Sequence, residues 1–173
     1  MGRYVALLRG ISPLNATMAG LRAAFEAGGF EDVKTVLATG NVLFDVPHAK
    51  KAKETTLAKK CEEAMQAHLG KSFLTLVRPL DELRALVEED PFTRHRVRAN
   101  EKRIVTFLAA PPKPAPKLPI ERDDARVLAV DGLTAFSVYA PNPKAAAFMV
   151  VLEKTFGKSI TTRTWDTVKK IVK

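Results

Sequence analysis

Apolar residues along this chain gather in short blocks, and the spacing inside each block indicates what it builds. Arg3–Arg9 (RYVALLR) is an apolar run held between arginines and closed by Gly10, the pattern of a buried strand. Met18, Leu21, Ala24 and Phe25 recur at helical spacing, which predicts a helix from Met18 to Gly28 with Asn15 or Thr17 as cap. Val33–Leu37 and Val42–Val46 are β-rich and flank Ala38-Thr39-Gly40-Asn41, a hairpin signal because glycine accepts positive φ. Lys50–Leu69 places Leu57, Cys61, Ala64, Met65 and Leu69 on one stripe with lysines opposite, and Gly70 ends it. A strand over Phe73–Arg78 and a short helix over Leu80–Val87 follow, closed by Asp90-Pro91-Phe92.

The pattern then repeats. Arg103–Ala109 predicts a strand. Pro111, Pro112, Pro114, Pro116 and Pro119 crowd the next connection, so any helix there is confined to about Ile120–Asp124. Arg126–Val130 and Leu133–Ala140 form a hairpin around Asp131-Gly132. Pro143 suits the first position of a helix running to Phe156, which Gly157 stops. A strand through Ile160–Thr162 and a helix from Trp165 to Val172 complete the order, with Thr164 as cap. The expected fold class is α+β: two tandem ferredoxin-like (split βαβ) halves, antiparallel sheets with helices on one face. The halves span 1–90 and 100–173, joined by a basic loop at 91–99. His68-Leu69-Gly70-Lys71-Ser72-Phe73 aligns with Thr155-Phe156-Gly157-Lys158-Ser159-Ile160, which supports an internal duplication.

Charge alters the picture next. The net charge of +9 is unevenly shared: 12 basic against 10 acidic residues in 1–88, and 16 against 9 in 89–173. A basic half favours polyanions, since neutralised phosphates release counterions. The loop Arg94-His95-Arg96-Val97-Arg98, with Lys102 and Arg103, is the candidate for phosphate contacts. It lacks interleaved aromatics, and the first-half strands offer few stacking residues. No apolar run is long enough to span a membrane, and the N-terminal segment is too short for a secretory signal. Gly2 lacks the Ser or Thr at position 6 that myristoylation wants, since Ala6 stands there. The single Cys61 fits a reducing compartment, so a cytoplasmic location is expected.

Candidate chemistry is sparse. Gly70-Lys71-Ser72 and Gly157-Lys158-Ser159 end in the manner of phosphate loops, but they follow helices and precede strands, and they read as helix stops. His48, His68, His95 and Cys61 have no metal-ligand spacing, and no nucleophile motif occurs, so neither metal nor cofactor is expected. The strand order places Arg9, Gly10 and Ser12 beside Thr39, Gly40 and Asn41, a set suited to a carboxylate or phosphate. The plainer reading pairs Arg9 with a carboxylate and makes the hairpin a simple turn. Arg163, Trp165 and Asp166 extend the candidate ligand-binding set.

Three segments carry a resemblance. Tyr4-Val5-Ala6-Leu7-Leu8-Arg9-Gly10-Ile11, Thr39-Gly40-Asn41-Val42-Leu43-Phe44 and Thr161–Val168 resemble the DUF1697 family of uncharacterised bacterial proteins, as does Asp90-Pro91-Phe92. The resemblance implies the duplicated ferredoxin-like architecture and no established activity. The family commonly reads R-G-I-N before a glycine-rich stretch, where this chain has Ser12-Pro13-Leu14-Asn15 after Ile11. Its T-R-N-W-N reads Thr162-Arg163-Thr164-Trp165-Asp166 here, so hydroxyl and carboxylate groups stand where the family carries amides. Whatever those amides bind in relatives is then bound differently, or not at all. The leading expectation is an uncharacterised protein binding a small anionic ligand near Arg9 and Asn41. The alternatives are a nucleic-acid-binding module using the basic half, or an unassigned enzyme drawing on Arg9, Asn41, Arg163 and Asp166.

Overall fold

A computed structural model describes residues 2–47, 52–122, 124–141 and 146–173. Among them run nine strands and five helices arranged as two antiparallel sheets, an α+β protein. The chain divides into two compact units, Met1–Ala85 with Lys170–Lys173, and Leu86–Lys169.

In the first unit, β1 (Gly2–Leu8), β2 (Glu31–Thr35), β3 (Asn41–Val46) and β4 (Thr75–Pro79) form a sheet in the order β2-β3-β1-β4. Helices α1 (Met18–Ala27) and α2 (Glu54–Leu69) lie on one face of it. That face carries the alternate residues Tyr4, Ala6 and Leu8, against which Leu21, Ala24, Phe25, Leu57, Cys61 and Met65 pack. Phe44 sits at the centre, its ring 4.6 Å from Phe30 and 5.9 Å from both Tyr4 and Phe25. Thr17 caps α1 by accepting from Gly20 N at 3.0 Å, and Gly70 ends α2 in the left-handed conformation. The outer strand β2 is broken by a bulge between Glu31 and Lys34, where Asp32 adopts φ 45° and pairs with Arg3 at 3.0 Å. It also stops at Thr35, short of the expected Leu37, because Leu37 turns into the left-handed region at φ 59°. The helix α3 (Leu80–Glu89) follows β4 without a break.

The second unit orders β6 (Ile120–Arg122), β7 (Ala125–Asp131), β8 (Thr134–Tyr139), β5 (Lys102–Leu108) and β9 (Ile160–Thr164) as β6-β7-β8-β5-β9. Its helices are α4 (Ala146–Phe156) and α5 (Trp165–Ile171). The expected short helix over Ile120–Asp124 is corrected to a strand. With five prolines before it, the segment has no room for a helical turn, and Ile120–Arg122 pairs instead with Ala125–Val127. The predicted Pro143 helix start lies outside the described residues. Phe148, Val151 and Leu152 of α4 pack on Ile104, Leu108, Val127 and Ile160. A 3₁₀ turn at Pro91–Arg94 sets the Phe92 ring edge-on to Phe136 at 5.8 Å and to Trp165 at 5.2 Å.

Candidate functional site

The first half of the expected set sits where β1 leaves the first sheet. Leu8 N donates to Gly40 O at 2.9 Å, and Arg9 N donates to Leu74 O at 2.9 Å. Gly40 has φ +84°, and a Cβ there would lie 2.8 Å from Ile11 Cγ1 and 3.1 Å from Leu8 Cβ. The backbone of the hairpin therefore rests directly on the β1 exit, at Leu8 and Ile11, the residues on either side of Arg9 and Gly10. Two asparagines fix the loops. Asn15 Oδ1 accepts from Ser12 N at 2.9 Å, and its Nδ2 donates to Gly10 O at 2.6 Å. Asn41 is fully buried, and its Nδ2 donates to Val36 O and to Thr39 Oγ1, each at 3.0 Å. Its amide thus closes the hairpin from within. Arg9 and Ser12 are half-buried, while Gly10 and Thr39 are exposed. Sequence reasoning assigned Asn15 no part in this loop except as a possible cap. Both of its side-chain bonds run back to earlier backbone groups, Ser12 N and Gly10 O, which no forward capping pattern signals.

Arg163, Trp165 and Asp166 belong to the second unit. Arg163 lies on β9 at 8% exposure and donates from Nη1 to Thr161 Oγ1 and to Thr162 O, both at 2.7 Å. Burial pushes its guanidinium down to about 10. Trp165 is 3% exposed and packed on Phe92. Asp166 is exposed and pairs with Lys169 at 3.1 Å. Thr164 caps α5, as expected, accepting from Thr167 N at 3.2 Å. A cleft of about 290 Å³ is lined by Glu101, Lys102, Arg103, Thr164, Trp165 and Asp166, so it gathers two of the expected residues but leaves out Arg163.

The basic loop is fastened from one side. Arg126 grips Glu101 through Nε at 2.9 Å and Nη2 at 2.6 Å, and Nη2 also reaches Arg96 O at 2.8 Å. Arg98 N adds a bond to the same carboxylate at 2.8 Å. The Arg126 hydrogen bonds hold the Glu101 carboxyl below its ordinary value. Arg96, Arg98, Lys102 and Arg103 remain exposed. The thiol of Cys61 is pushed far up by burial, with the Glu62 carboxylate adding to the effect. Among the described residues no cluster of metal ligands forms, and no helix is long and apolar enough to cross a membrane. His48 lies outside the described residues.

The family model for proteins of unknown function, DUF1697, matches residues 1–132. The chain belongs to the DUF1697 family. The match takes in the β1 exit and the Gly40 hairpin, while Thr161–Val168 lies beyond it. A similar solved structure is that of a conserved bacterial protein from Streptococcus pneumoniae, with a TM-score of 0.69 and 22% identity, covering 99% of this chain and 97% of that one. That likeness speaks to the fold of this DUF1697 protein alone. No curated protein matches the chain.

Proposed function

We propose that this DUF1697 protein is a small cytoplasmic protein that binds an anionic small molecule where the β1 exit meets the Gly40 hairpin. The observation that carries this reading is the contact at Gly40. A glycine with no room for a side chain joins two loops that carry a guanidinium and two small hydroxyls. The Thr39 hydroxyl accepts from Asn41 and still has its own proton to donate, and Arg9 supplies the charge. Asn15 and Asn41 act as positioning residues, holding the loops in shape before a ligand arrives. The test is a thermal melt with inorganic phosphate or acetate against chloride at matched ionic strength. Stabilisation by one of these anions that disappears in Arg9→Ala is expected. Equal melts in all three salts would overturn the reading.

The same proposal takes the molecule as two tandem ferredoxin-like halves, 1–90 and 100–173, descended from one duplicated unit. Strand register supports this. Val5 stands opposite Leu43 and Arg78, and Val105 stands opposite Phe136 and Arg163. Each of the two buried arginines donates Nη1 to the carbonyl of the residue before it, Val77 or Thr162. A nucleic-acid reading rests on the exposed Arg96, Arg98, Lys102 and Arg103. The first-sheet aromatics Tyr4 and Phe44 are buried in the core, which removes the stacking platform such a sheet would use.

A further inference from the structure

We propose that Thr106 and Ser137 share an enclosed guest, a single water molecule, that is part of the folded core of the second unit. Both residues are fully buried, and neither Thr106 Oγ1 nor Ser137 Oγ has a hydrogen-bond partner in the protein. Buried hydroxyls are nearly always paired, because one taken from water without a partner loses its solvation and gains nothing in return.

Strand register places the two together. Thr106 alternates with Ile104 and Leu108, both of which pack under α4. Ser137 stands directly opposite Ile104, and Thr106 opposite Ala135. The two hydroxyl residues are therefore diagonal neighbours on the α4 face, with Cβ atoms roughly 7 Å apart. That is too far for a direct bond and within the span of two bonds of about 2.8 Å through one oxygen. The β7 ladder shifts between Val127, which faces Ser137, and Ala129, so the regular pairing is interrupted at Leu128, beside the serine.

The surroundings choose the guest. Ile104, Leu108, Val127, Val151, Leu152 and Ile160 line this core, and the buried Arg163 stands opposite Val105, on the other face of the sheet. An ion would be stranded there, whereas a neutral molecule that both donates and accepts satisfies two hydroxyls at once. On the tandem reading, the first sheet shows what a dry version looks like. The place Ser137 holds opposite Ile104 is filled there by Phe44 opposite Tyr4, and Thr106 corresponds to Ala6. One unit fills the position with a phenyl ring, while the other keeps a small hydroxyl.

The near-isosteric variants Thr106→Val and Ser137→Ala, singly and together, test this by thermal melting, alongside high-resolution diffraction of the unaltered protein. Each single change should lower Tm, since the remaining hydroxyl and the water lose a partner, and the double variant should lose less than the two singles combined. The diffraction map should show one ordered water within bonding distance of both oxygens. A rise in Tm for Thr106→Val would mean the hydroxyl was an uncompensated burden, and the proposal falls. It falls equally if the map of the unaltered protein shows no bridging water, whether or not the variants fold.

Discussion

Gly10 and Gly40 have nearly the same φ, +82° and +84°, but stand in different surroundings, and that pair makes a controlled experiment. Alanine at either position must adopt a left-handed conformation, at about 1–2 kcal/mol. At Gly10 nothing lies within 4 Å of the new Cβ, so that is the whole cost. At Gly40 the methyl would come 2.8 Å from Ile11 Cγ1, well inside ordinary carbon contact, with Leu8 Cβ on its other side at 3.1 Å. Leu8 does not yield easily, because it is in the core and its N is bonded to Gly40 O, and Ile11 is packed against the same core. Crowding of this kind adds about 1–3 kcal/mol. Gly40→Ala should therefore cost about 2–5 kcal/mol, a fall in Tm of roughly 10–30 °C for a unit of this size. Urea titration followed by far-UV circular dichroism is the suitable assay, because the lone tryptophan, Trp165, belongs to the second unit and would report on that unit. If Gly40→Ala and Gly10→Ala differ by less than about 0.5 kcal/mol, the close packing of the hairpin on β1 is refuted.

Two further outcomes follow from the buried groups. Glu101→Gln removes the charge gripped by Arg126, whose side chain is only 15% exposed, and should cost about 3 kcal/mol by leaving that guanidinium underpaired. Because the folded carboxyl is held below its ordinary 4.5, its contribution is complete above that value and drains away as pH falls through the folded one. Stability against pH should accordingly lose part of its acid limb in the variant, and an unchanged acid limb would count against the pairing. Cys61, fully buried with its thiol pushed upward, should resist alkylation at pH 8 and react only as fast as the first unit opens. Rapid labelling of the native protein would contradict its place in the core.

Much of the fold was legible because local signals agreed with one another. The α2 stripe of Leu57, Cys61, Ala64 and Met65 is the buried face, and Gly70 closes the helix with the positive φ its position requires. The turns at Gly40 and Gly132 were readable for the same reason. The failures came where distant residues decide. Proline crowding excluded a helix before β6, but only the partner strand Ala125–Val127 makes Ile120–Arg122 extended. The Arg126–Glu101 grip joins positions 25 apart, and no spacing rule announces it. At the candidate site, the meeting of Gly40 with Ile11 followed from strand order. The inward turn of Asn41 did not, because a polar residue beside a hairpin glycine gives no sign of which side its amide will serve.

The kink in β2 has a consequence beyond its own unit. A strand at the rim of a sheet exposes a row of amide groups to which any extended peptide can add itself. Here the row is interrupted at Asp32, flanked by the exposed charges of Glu31 and Lys34, and tied inward by Arg3. At one rim of the other sheet, β6 offers only three residues, two of them the exposed, charged Glu121 and Arg122. A second molecule trying to lengthen either sheet at these rims would find too few aligned groups to hold on to, which guards the protein against growing into fibres from them.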